Sequence, residues 1–162
     1  ENAPANNSIT FLAPSKTFNI AGLECAAAII PNLEIRQNYL SCMKGIVPPV
    51  NIFAYQATMA AYQQGDAWLK ELINYLKQNR DLLVNRIGGM PQLSLYPPEA
   101  TYLAWIDCSK MNVESPARFF IESGIGVADG SEFGNKNFVR INFACPKSLL
   151  IEALDRMDNS LS

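Results

Sequence analysis

The segment Phe138-Val139-Arg140-Ile141-Asn142-Phe143-Ala144 sets the pattern for the C-terminal half of the chain. Its β-branched and aromatic residues predict a strand, and Arg140 is the one charged side chain inside it. Pro146 is suited to begin a helix, because the first helical position needs no N–H donor. A helical face then carries Leu150, Leu154 and Met157, which predicts packing against the sheet of that strand.

Four further elements precede this strand from residue 90 onward. Residues 93–96 and 102–107 predict two strands separated by a proline-containing turn. Ser115-Pro116 predicts a helix to about residue 122, and residues 124–128 predict a short strand before a polar loop. The order strand, strand, helix, strand, strand, helix predicts an α+β fold with helices packed on one sheet.

Upstream, three helices are predicted at residues 33–44, 53–64 and 66–87. The last has the clearest periodicity, with Asp66 as the predicted N-cap and Gly88-Gly89 as the stop. One apolar stripe of this helix is expected in the core: Leu69, Leu72, Ile73, Leu76, Leu83 and Ile87. Asn51 is predicted to be an N-cap or a loop residue before the second of these helices.

Two apolar runs near the N-terminus predict strands. Ile9-Thr10-Phe11-Leu12 is typical of a short buried strand. Residues 25–30 favour a second buried strand, although their alanines suit a helix as well. With 162 residues and 49% hydrophobic content, the chain is long enough for one ordinary domain with its own core, or for one and a half.

Charge and composition exclude several classes of function. Thirteen basic and fifteen acidic side chains give a formal charge of −2, without the basic stripe that nucleic acids select, so nucleic acid is not an expected partner. Histidine is absent from the sequence, which removes histidine-based triads and the usual imidazole zinc sites, and no metal is expected. Acid–base chemistry must therefore use Lys, Tyr, Asp, Glu or Cys.

The four cysteines are too widely spread for a CxxC pair or a metal knuckle: Cys25, Cys42, Cys108 and Cys145. Buried free thiols are the favoured interpretation over disulfides. The polar first eight residues lack the order of a signal peptide, and the longest apolar run, at residues 25–31, is far shorter than the roughly 20 residues that cross a bilayer. We therefore expect a cytoplasmic protein without membrane contact.

Two residues are candidates for chemistry. Lys16 follows the first predicted strand, and enzymes built on sheets place reactive groups at strand ends. Partial shielding from water disfavours the ammonium form of such a lysine, so that the free amine attacks a carbonyl more readily, although most lysines near turns are solvated surface residues. Arg140 either binds a carboxylate through two parallel hydrogen bonds or forms a structural ion pair.

Together, several segments resemble the C-terminal part of the aminotransferase-fold (fold type I) pyridoxal-phosphate enzymes, most closely the cystathionine β-lyase, or carbon-sulfur lyase, branch. Their order and spacing are family-like, and the resemblance spans residues 9–157. The matching segments are residues 9–23 (ITFLAPSKTFNIAGL), 51–53 (NIF), 100–107 (ATYLAWID), 130–134 (GSEFG) and 138–146 (FVRINFACP).

The resemblance implies roles for both candidates. Lys16 matches the lysine that binds the aldehyde of the cofactor, pyridoxal 5′-phosphate (PLP), and Arg140 matches the arginine that holds the α-carboxylate of a small amino-acid substrate. Many relatives carry an arginine eight residues after the lysine, where it pairs with the cofactor phosphate; here that position is Glu24. This departure favours the lyase branch. Ser15 is left open between a place near the phosphate and a turn-stabilising role.

Three further residues are interpreted from their positions in strands. By parity, Tyr102 and Trp105 lie on opposite faces of their strand, so that one of them could line a pocket near Arg140, although core packing is favoured. Asp107, at the end of the strand, is expected to cap a turn rather than to act as a base. By resemblance, the segment around Asn51 lies near a dimer interface.

The resemblance also implies an organisation and a function for the intact protein. Residues 1–50 would be the end of the large PLP-binding domain and a linker, and residues 51–162 the small domain, with helices on a mainly antiparallel sheet. The implied activity is a homodimeric carbon-sulfur β-lyase that converts L-cystathionine or a related amino acid to a thiol, pyruvate and ammonia. A class I/II aminotransferase and a non-catalytic regulatory or effector domain stay open as alternatives.

Family members are roughly two and a half times longer, and their additional part holds the glycine-rich phosphate seat, the acidic partner of the pyridine nitrogen and the stacking aromatic ring. We therefore expect these 162 residues to be a fragment with little or no activity of its own.

Overall fold

The computed structural model describes residues 5–162, and these form two compact units, the first ending at Glu71 and the second Leu72–Ser162. The division falls inside a long helix and lies further along the chain than the predicted domain boundary at residue 50. Compact units reflect contacts within this chain, whereas the predicted domains refer to the complete fold of the family. The domain boundary therefore stays a prediction.

The first unit combines one small sheet with helices. Strands β1 (Thr10–Leu12) and β2 (Ala27–Ile29) pair antiparallel, and between them lie the short helix α1 (Pro14–Thr17) and a 3-10 turn (Ala21–Leu23). Helices α2 (Leu33–Met43) and α3 (Ile52–Gln64) follow, and the unit ends within α4 (Asp66–Gly88). The predicted strands and helices are thus confirmed in position.

Both strands of the first unit are exposed, so the prediction that they are buried was wrong. Phe11 is 62% exposed and Ile29 51% exposed, although both belong to the residue types that predicted strands. Within residues 6–71 only Pro14, Ile30 and Ala54 are buried. Apolar content predicts the strand, but its burial requires a second packed layer, which the described residues of this unit do not supply.

Asparagine caps begin α2 and α3. Asn32 Oδ1 accepts the Ile35 N–H at 3.1 Å, and Asn51 Oδ1 accepts the Ala54 N–H at 2.9 Å, so Asn51 is confirmed as an N-cap. Asn51 Nδ2 also donates to the Leu23 carbonyl at 3.2 Å. One side chain therefore joins the start of α3 to the segment that follows α1.

The second unit is built on a four-stranded antiparallel sheet with the strand order β3-β4-β6-β5. The strands are β3 (Ser94–Leu95), β4 (Leu103–Asp107), β5 (Ala128–Asp129) and β6 (Phe138–Asn142). Helices α5 (Pro116–Glu122) and α6 (Lys147–Leu161) are inserted in the predicted order. The predicted α+β class is confirmed; β5 is shorter than predicted and begins four residues later than residue 124.

One face of this sheet forms the core of the unit. The buried cluster includes Ala104 and Ile106 from β4, Val139 and Ile141 from β6, and the predicted α6 face, Leu150, Leu154 and Met157. Of the predicted α4 stripe, Leu83 and Ile87 are buried, whereas Ile73 is 56% exposed. Asp66 is the first residue of α4 rather than the cap before it, and α4 ends at Gly88 as predicted.

All four cysteines are free, as predicted. Only Cys108 is fully buried, because it lies in the core of the second unit; Cys25 and Cys145 are half-buried, and Cys42 is exposed. No helix in residues 5–162 combines the length and the apolar character that crossing a membrane requires.

Candidate functional site

Lys16 lies on the helical turn directly after β1. Pro14 begins this turn because its fixed φ suits the first helical position, and the Phe18 N–H closes the turn on the Pro14 carbonyl at 2.9 Å. The Ile20 N–H adds a bond to the Ser15 carbonyl at 3.1 Å. Lys16 is exposed, and its amine has no hydrogen bond or ion pair with any residue in the described part of the chain.

The backbone beyond Lys16 is anchored on α3 and α4 within the first unit. The Phe18 ring contacts Tyr62 edge-on at 5.8 Å and stacks on Trp68 at 6.3 Å between centroids. A side chain at Gly65 would meet the Phe18 ring, so this close approach requires a glycine. Lys16 therefore presents an exposed, unpartnered side chain from a turn whose base is held by aromatic packing.

The expected shielding of Lys16 from water is not present among the described residues, since the side chain is exposed. Glu24 is also exposed and has a left-handed backbone, with φ of 54°. Its carboxylate would repel a phosphate rather than bind it. The Ser15 hydroxyl has no hydrogen-bond partner within residues 5–162, so the turn is held by backbone bonds alone.

Arg140 lies at the middle of β6, on the sheet face opposite the core. Its neighbours Val139 and Ile141 are buried in the core, and strand alternation therefore directs Arg140 to the other face. In the register of the sheet, Arg140 stands opposite Trp105 of β4 on one side and Ala128 of β5 on the other. The side chain is half-buried.

Three aromatic rings, Trp105, Phe133 and Phe138, pack on one another on this face of the sheet, and we call them the aromatic cluster. The Arg140 Cζ lies 4.2 Å from the centroid of the Phe133 ring, over its face. Trp105 meets Phe133 edge-on at 5.8 Å and stacks on Phe138 at 5.2 Å, both between centroids. Trp105 therefore lies on the Arg140 face, so the favoured core packing was wrong for it, whereas Tyr102 packs against the core as favoured.

Arg140 has no acidic partner among the described residues, so the structural ion pair is excluded within this part of the chain. The ion pairs of the second unit are instead made by Arg80, Arg86 and Arg156. A partly exposed guanidinium without a carboxylate partner keeps its N–H donors for water or for an anionic ligand. Its five donors are available to a ligand from outside the described residues.

The loop that carries Phe133 is fixed by its neighbours. Asp129 accepts the Ser131 N–H at 2.8 Å, and this bond lowers the pKa of the Asp129 carboxyl and begins a 3-10 turn at Gly130–Phe133. A Cβ at Gly130 would overlap the carbonyl oxygens of Asn135 and Phe138. Sequence reasoning did not identify the contact of Phe133 with Arg140, although Gly130 and Gly134 on either side of Phe133 indicate a constrained loop.

Asp107 caps a turn, as expected. Its carboxylate accepts the Ser109 hydroxyl at 2.6 Å and the Ser109 N–H at 2.8 Å. These hydrogen bonds lower the pKa of Asp107, because they favour its charged form. An ionised, already satisfied carboxylate is a poor general base. Residues 5–162 also contain no group of three or more Cys, Asp or Glu side chains that could hold a metal ion.

The segment after β6 is tied to α4 by polar contacts, one buried and the others more exposed. Asn79, which is fully buried, donates through Nδ2 to the carbonyls of Phe143 at 3.0 Å and Cys145 at 2.9 Å. The Tyr75 hydroxyl accepts the Lys147 N–H at 2.7 Å. These contacts hold the backbone that leaves the Arg140 strand. Lys16 belongs to the first unit and Arg140 to the second, and the structure describes each within its own unit.

Comparisons with known proteins agree with this architecture. The family model of aminotransferase class I and II matches residues 3–157. Cystathionine beta-lyase PatB of Bacillus subtilis is 34% identical over 98% of this chain and 43% of its own length. The chain thus spans about two fifths of the length of that relative.

Two solved structures extend the similarity to three dimensions. A crystal structure of OvoB is 46% identical with a TM-score of 0.97, covering 100% of this chain and 43% of that chain. Cystalysin from Treponema denticola, whose crystal structure contains a pyridoxal 5′-phosphate cofactor, is 32% identical with a TM-score of 0.93, covering 99% of this chain and 43% of that chain.

Proposed function

Because the chain belongs to the aminotransferase class I and II family, we propose that it is the C-terminal part of a PLP-dependent carbon-sulfur β-lyase. The substrate is L-cystathionine or a related amino acid, and the products are a thiol, pyruvate and ammonia. One observation carries this proposal: Arg140 is half-buried beside aromatic rings and has no acidic partner in the described chain. Such an arginine is suited to the α-carboxylate of an amino acid.

The described residues fit the reactive end of PLP but not its phosphate. The side-chain nitrogen of Lys16 is accessible and has no partner among the described residues, so it would be the point of covalent attachment to the cofactor aldehyde. Glu24 does not suit a phosphate, and we assign the phosphate contacts to residues outside 5–162. When bound, PLP supplies an acceptor for the electron pair left on the substrate Cα after proton removal.

Lys16 and Arg140 divide the remaining work. With PLP and substrate bound, the Lys16 Nζ would act as the general base that removes the Cα proton. Arg140 holds the α-carboxylate in two parallel hydrogen bonds, which fixes the direction of the Cα–H bond relative to that base. The Cβ–S bond would then break with its electron pair leaving on the sulfur as a thiolate, and water would hydrolyse the remaining three-carbon fragment to pyruvate and ammonia.

Aminotransfer is the second candidate function, and the matching family model favours it by name. Both reactions begin with the same proton removal, so Lys16 and Arg140 serve either. The glutamate at position 24 favours the lyase, because the lyase branch that the sequence resembles also lacks the phosphate-binding arginine there. A non-catalytic effector domain would bind the amino acid without turnover.

We further propose a homodimer in the cytoplasm for the full-length protein. Helix α3 has a stripe of exposed apolar side chains at helical spacing, Ile52, Tyr55, Met59 and Tyr62, beside the segment assigned to the dimer interface. The free cysteines suit a reducing compartment. Residues 1–50 and 51–162 are proposed as the large-domain end and the small domain, and the 162-residue chain alone as inactive.

The test uses the full-length, PLP-loaded protein with L-cystathionine, following pyruvate release and the cofactor absorbance. Lys16→Ala should lower the turnover rate by at least about a thousandfold while PLP still binds non-covalently, because the general base and the covalent link are both lost. Lys44→Ala, an exposed lysine after α2, is the matched control and should retain activity.

Each alternative gives a different result in this experiment. Turnover near that of the wild type in Lys16→Ala would refute the lysine assignment. Transfer of the amino group to an added keto acid without pyruvate release would identify an aminotransferase. A change of absorbance with L-cystathionine that yields no product in the wild type would favour the effector domain.

A further inference from the structure

The contact between Arg140 and Phe133 is not explained by packing of the core. Phe133 is 47% exposed and does not belong to the buried cluster of the second unit. Its ring nevertheless lies with its face 4.2 Å from the Arg140 Cζ. An exposed aromatic ring held against an unpaired guanidinium indicates that the ring helps to fix the orientation of that arginine.

The Phe133 ring is held in this place from two directions. Trp105 meets it edge-on, and Trp105 is itself stacked on Phe138 at 5.2 Å and 16°. From the backbone, the Asp129 cap and the crowded Gly130 fix the 3-10 turn in which Phe133 is the last residue. The ring is therefore a preorganised surface rather than a flexible side chain.

The chemistry of the contact leaves Arg140 able to bind a ligand. An aromatic face attracts the guanidinium through the ring quadrupole, but it has no oxygen or nitrogen acceptor. The contact therefore restricts the rotamers of Arg140 without using its N–H donors in conventional hydrogen bonds. A carboxylate partner would have restricted the arginine equally but would have competed with the α-carboxylate of the substrate.

We propose that Phe133, supported by Trp105, is a positioning residue that orders the Arg140 guanidinium for the substrate carboxylate. This inference rests on the proposed function, which assigns Arg140 to that carboxylate. Phe133 acts through Arg140 and lowers the conformational cost of binding, so its loss weakens substrate binding and leaves the chemical step intact.

The test compares the variants Phe133→Leu and Phe133→Tyr with the wild-type protein, all in the full-length, PLP-loaded form. Phe133→Leu retains apolar volume without a ring, and we expect KM for L-cystathionine to rise about three- to tenfold with kcat within about twofold. Phe133→Tyr keeps the ring and should restore KM to within about twofold. Tyr96→Leu makes the same kind of change at a ring that is 93% exposed and should leave both constants unchanged.

A second readout does not depend on turnover. Propionate, a carboxylate without an α-amino group, probes the arginine alone, and its dissociation constant is measured by calorimetry on the same variants. We expect the same rise of about three- to tenfold for Phe133→Leu and none for Tyr96→Leu. A purely structural role of the ring would alter the unfolding midpoint and not this dissociation constant.

The outcomes separate this inference from the proposed function. If Arg140→Lys leaves KM and the propionate constant unchanged, the assignment of Arg140 itself fails. If Arg140→Lys weakens both while Phe133→Leu weakens neither, only the role of Phe133 is overturned. Equal impairment of Phe133→Tyr and Phe133→Leu would likewise overturn it, because the ring face would then not be the feature that matters.

Discussion

The two compact units of the chain use similar residues with opposite results. In the second unit, Leu83, Ile106 and Met157 are fully buried in one cluster that joins three helices to a sheet face. In the first unit, Phe11 and Ile29 belong to strands yet are more than half exposed. Both sets are apolar residues, and their burial differs because only those of the second unit are covered by a second layer of secondary structure.

This difference separates a self-sufficient core from an open apolar surface. Exposed apolar side chains are normal when scattered, but those of the first unit share two paired strands and one face of α3. Such a surface is typical of a layer that packs against something else. For β1 and β2 this agrees with our proposal that residues 1–50 are the end of a larger PLP-binding domain, and for α3 it agrees with the proposed dimer interface.

Thiol reactivity should show the largest contrast between the units. Burial, together with the neighbouring Asp107 carboxylate, raises the pKa of the Cys108 thiol to about 12, whereas Cys42 is exposed on α2. At pH 8 a thiol with that pKa is thiolate in only about one molecule in ten thousand, against roughly a quarter for an ordinary thiol of pKa about 8.5. Native Cys42 should therefore react with a small thiol reagent at least about a thousandfold faster than Cys108.

The pH dependence follows from the direction of the same shift. A raised pKa means that the folded state keeps the Cys108 proton more tightly than the unfolded state does. Its contribution to the free energy of unfolding is therefore present below pH about 8.5 and is lost as the pH rises toward about 12.

The labelling rates of Cys42 and Cys108 are measured by mass spectrometry of peptides, with the urea-unfolded chain as the control. Similar native rates for Cys42 and Cys108 would contradict the packed core.

Truncation of a leucine in each unit should give the next largest contrast. Leu83 is fully buried, so Leu83→Ala in the 162-residue chain should lower the free energy of unfolding by about 2–5 kcal/mol. Leu12, in β1, is 49% exposed, and Leu12→Ala should change it by no more than about 0.5 kcal/mol. Urea unfolding followed by circular dichroism measures both.

The same pair in the full-length protein sharpens the comparison. If a further part of the protein covers the first unit, the cost of Leu12→Ala should rise there into the range of about 2–5 kcal/mol. An unchanged small cost would argue against the proposal that β1 belongs to a larger packed domain.

Replacing one asparagine in each unit should give the smallest difference in the free energy of unfolding. Asn79→Ala leaves the Phe143 and Cys145 carbonyls without their buried donor, which should cost about 2 kcal/mol. Asn51→Ala removes a helix cap at an exposed site, which should cost about 1 kcal/mol. Urea unfolding again measures the difference, and a larger cost at Asn51 than at Asn79 would show that the buried amide contributes less than the surface cap.

Periodicity and punctuation predicted most of the secondary structure. The α6 face, the start of α5 at Pro116 and the Asn51 cap of α3 were correct, because each depends on residues within a few positions of one another. The burial of β1 and β2 could not be predicted in this way. It depends on whether another layer faces the strands, which local sequence does not record.

The candidate site also contains residues that the sequence identified and residues that only the structure identified. Lys16 and Arg140 were identified from motifs, and their assigned roles stay predictions. The Trp105 register and the Phe133 contact with Arg140 were not identified, because Phe133 is seven residues from Arg140 in the chain and Trp105 is far upstream. Pairing of β4 with β6 and the constrained turn at Gly130–Phe133 bring them together.

The amino-acid sequence by itself determined the order of strands and helices, the family resemblance and the two chemically suited side chains, since these depend on residue type and short-range spacing. Only the tertiary structure decided which apolar residues are buried and which partner each charged group has. Burial and pairing are properties of surfaces that meet across long sequence separations. For that reason Arg140 is half-buried with an aromatic neighbour, while Lys16 stays open to solvent.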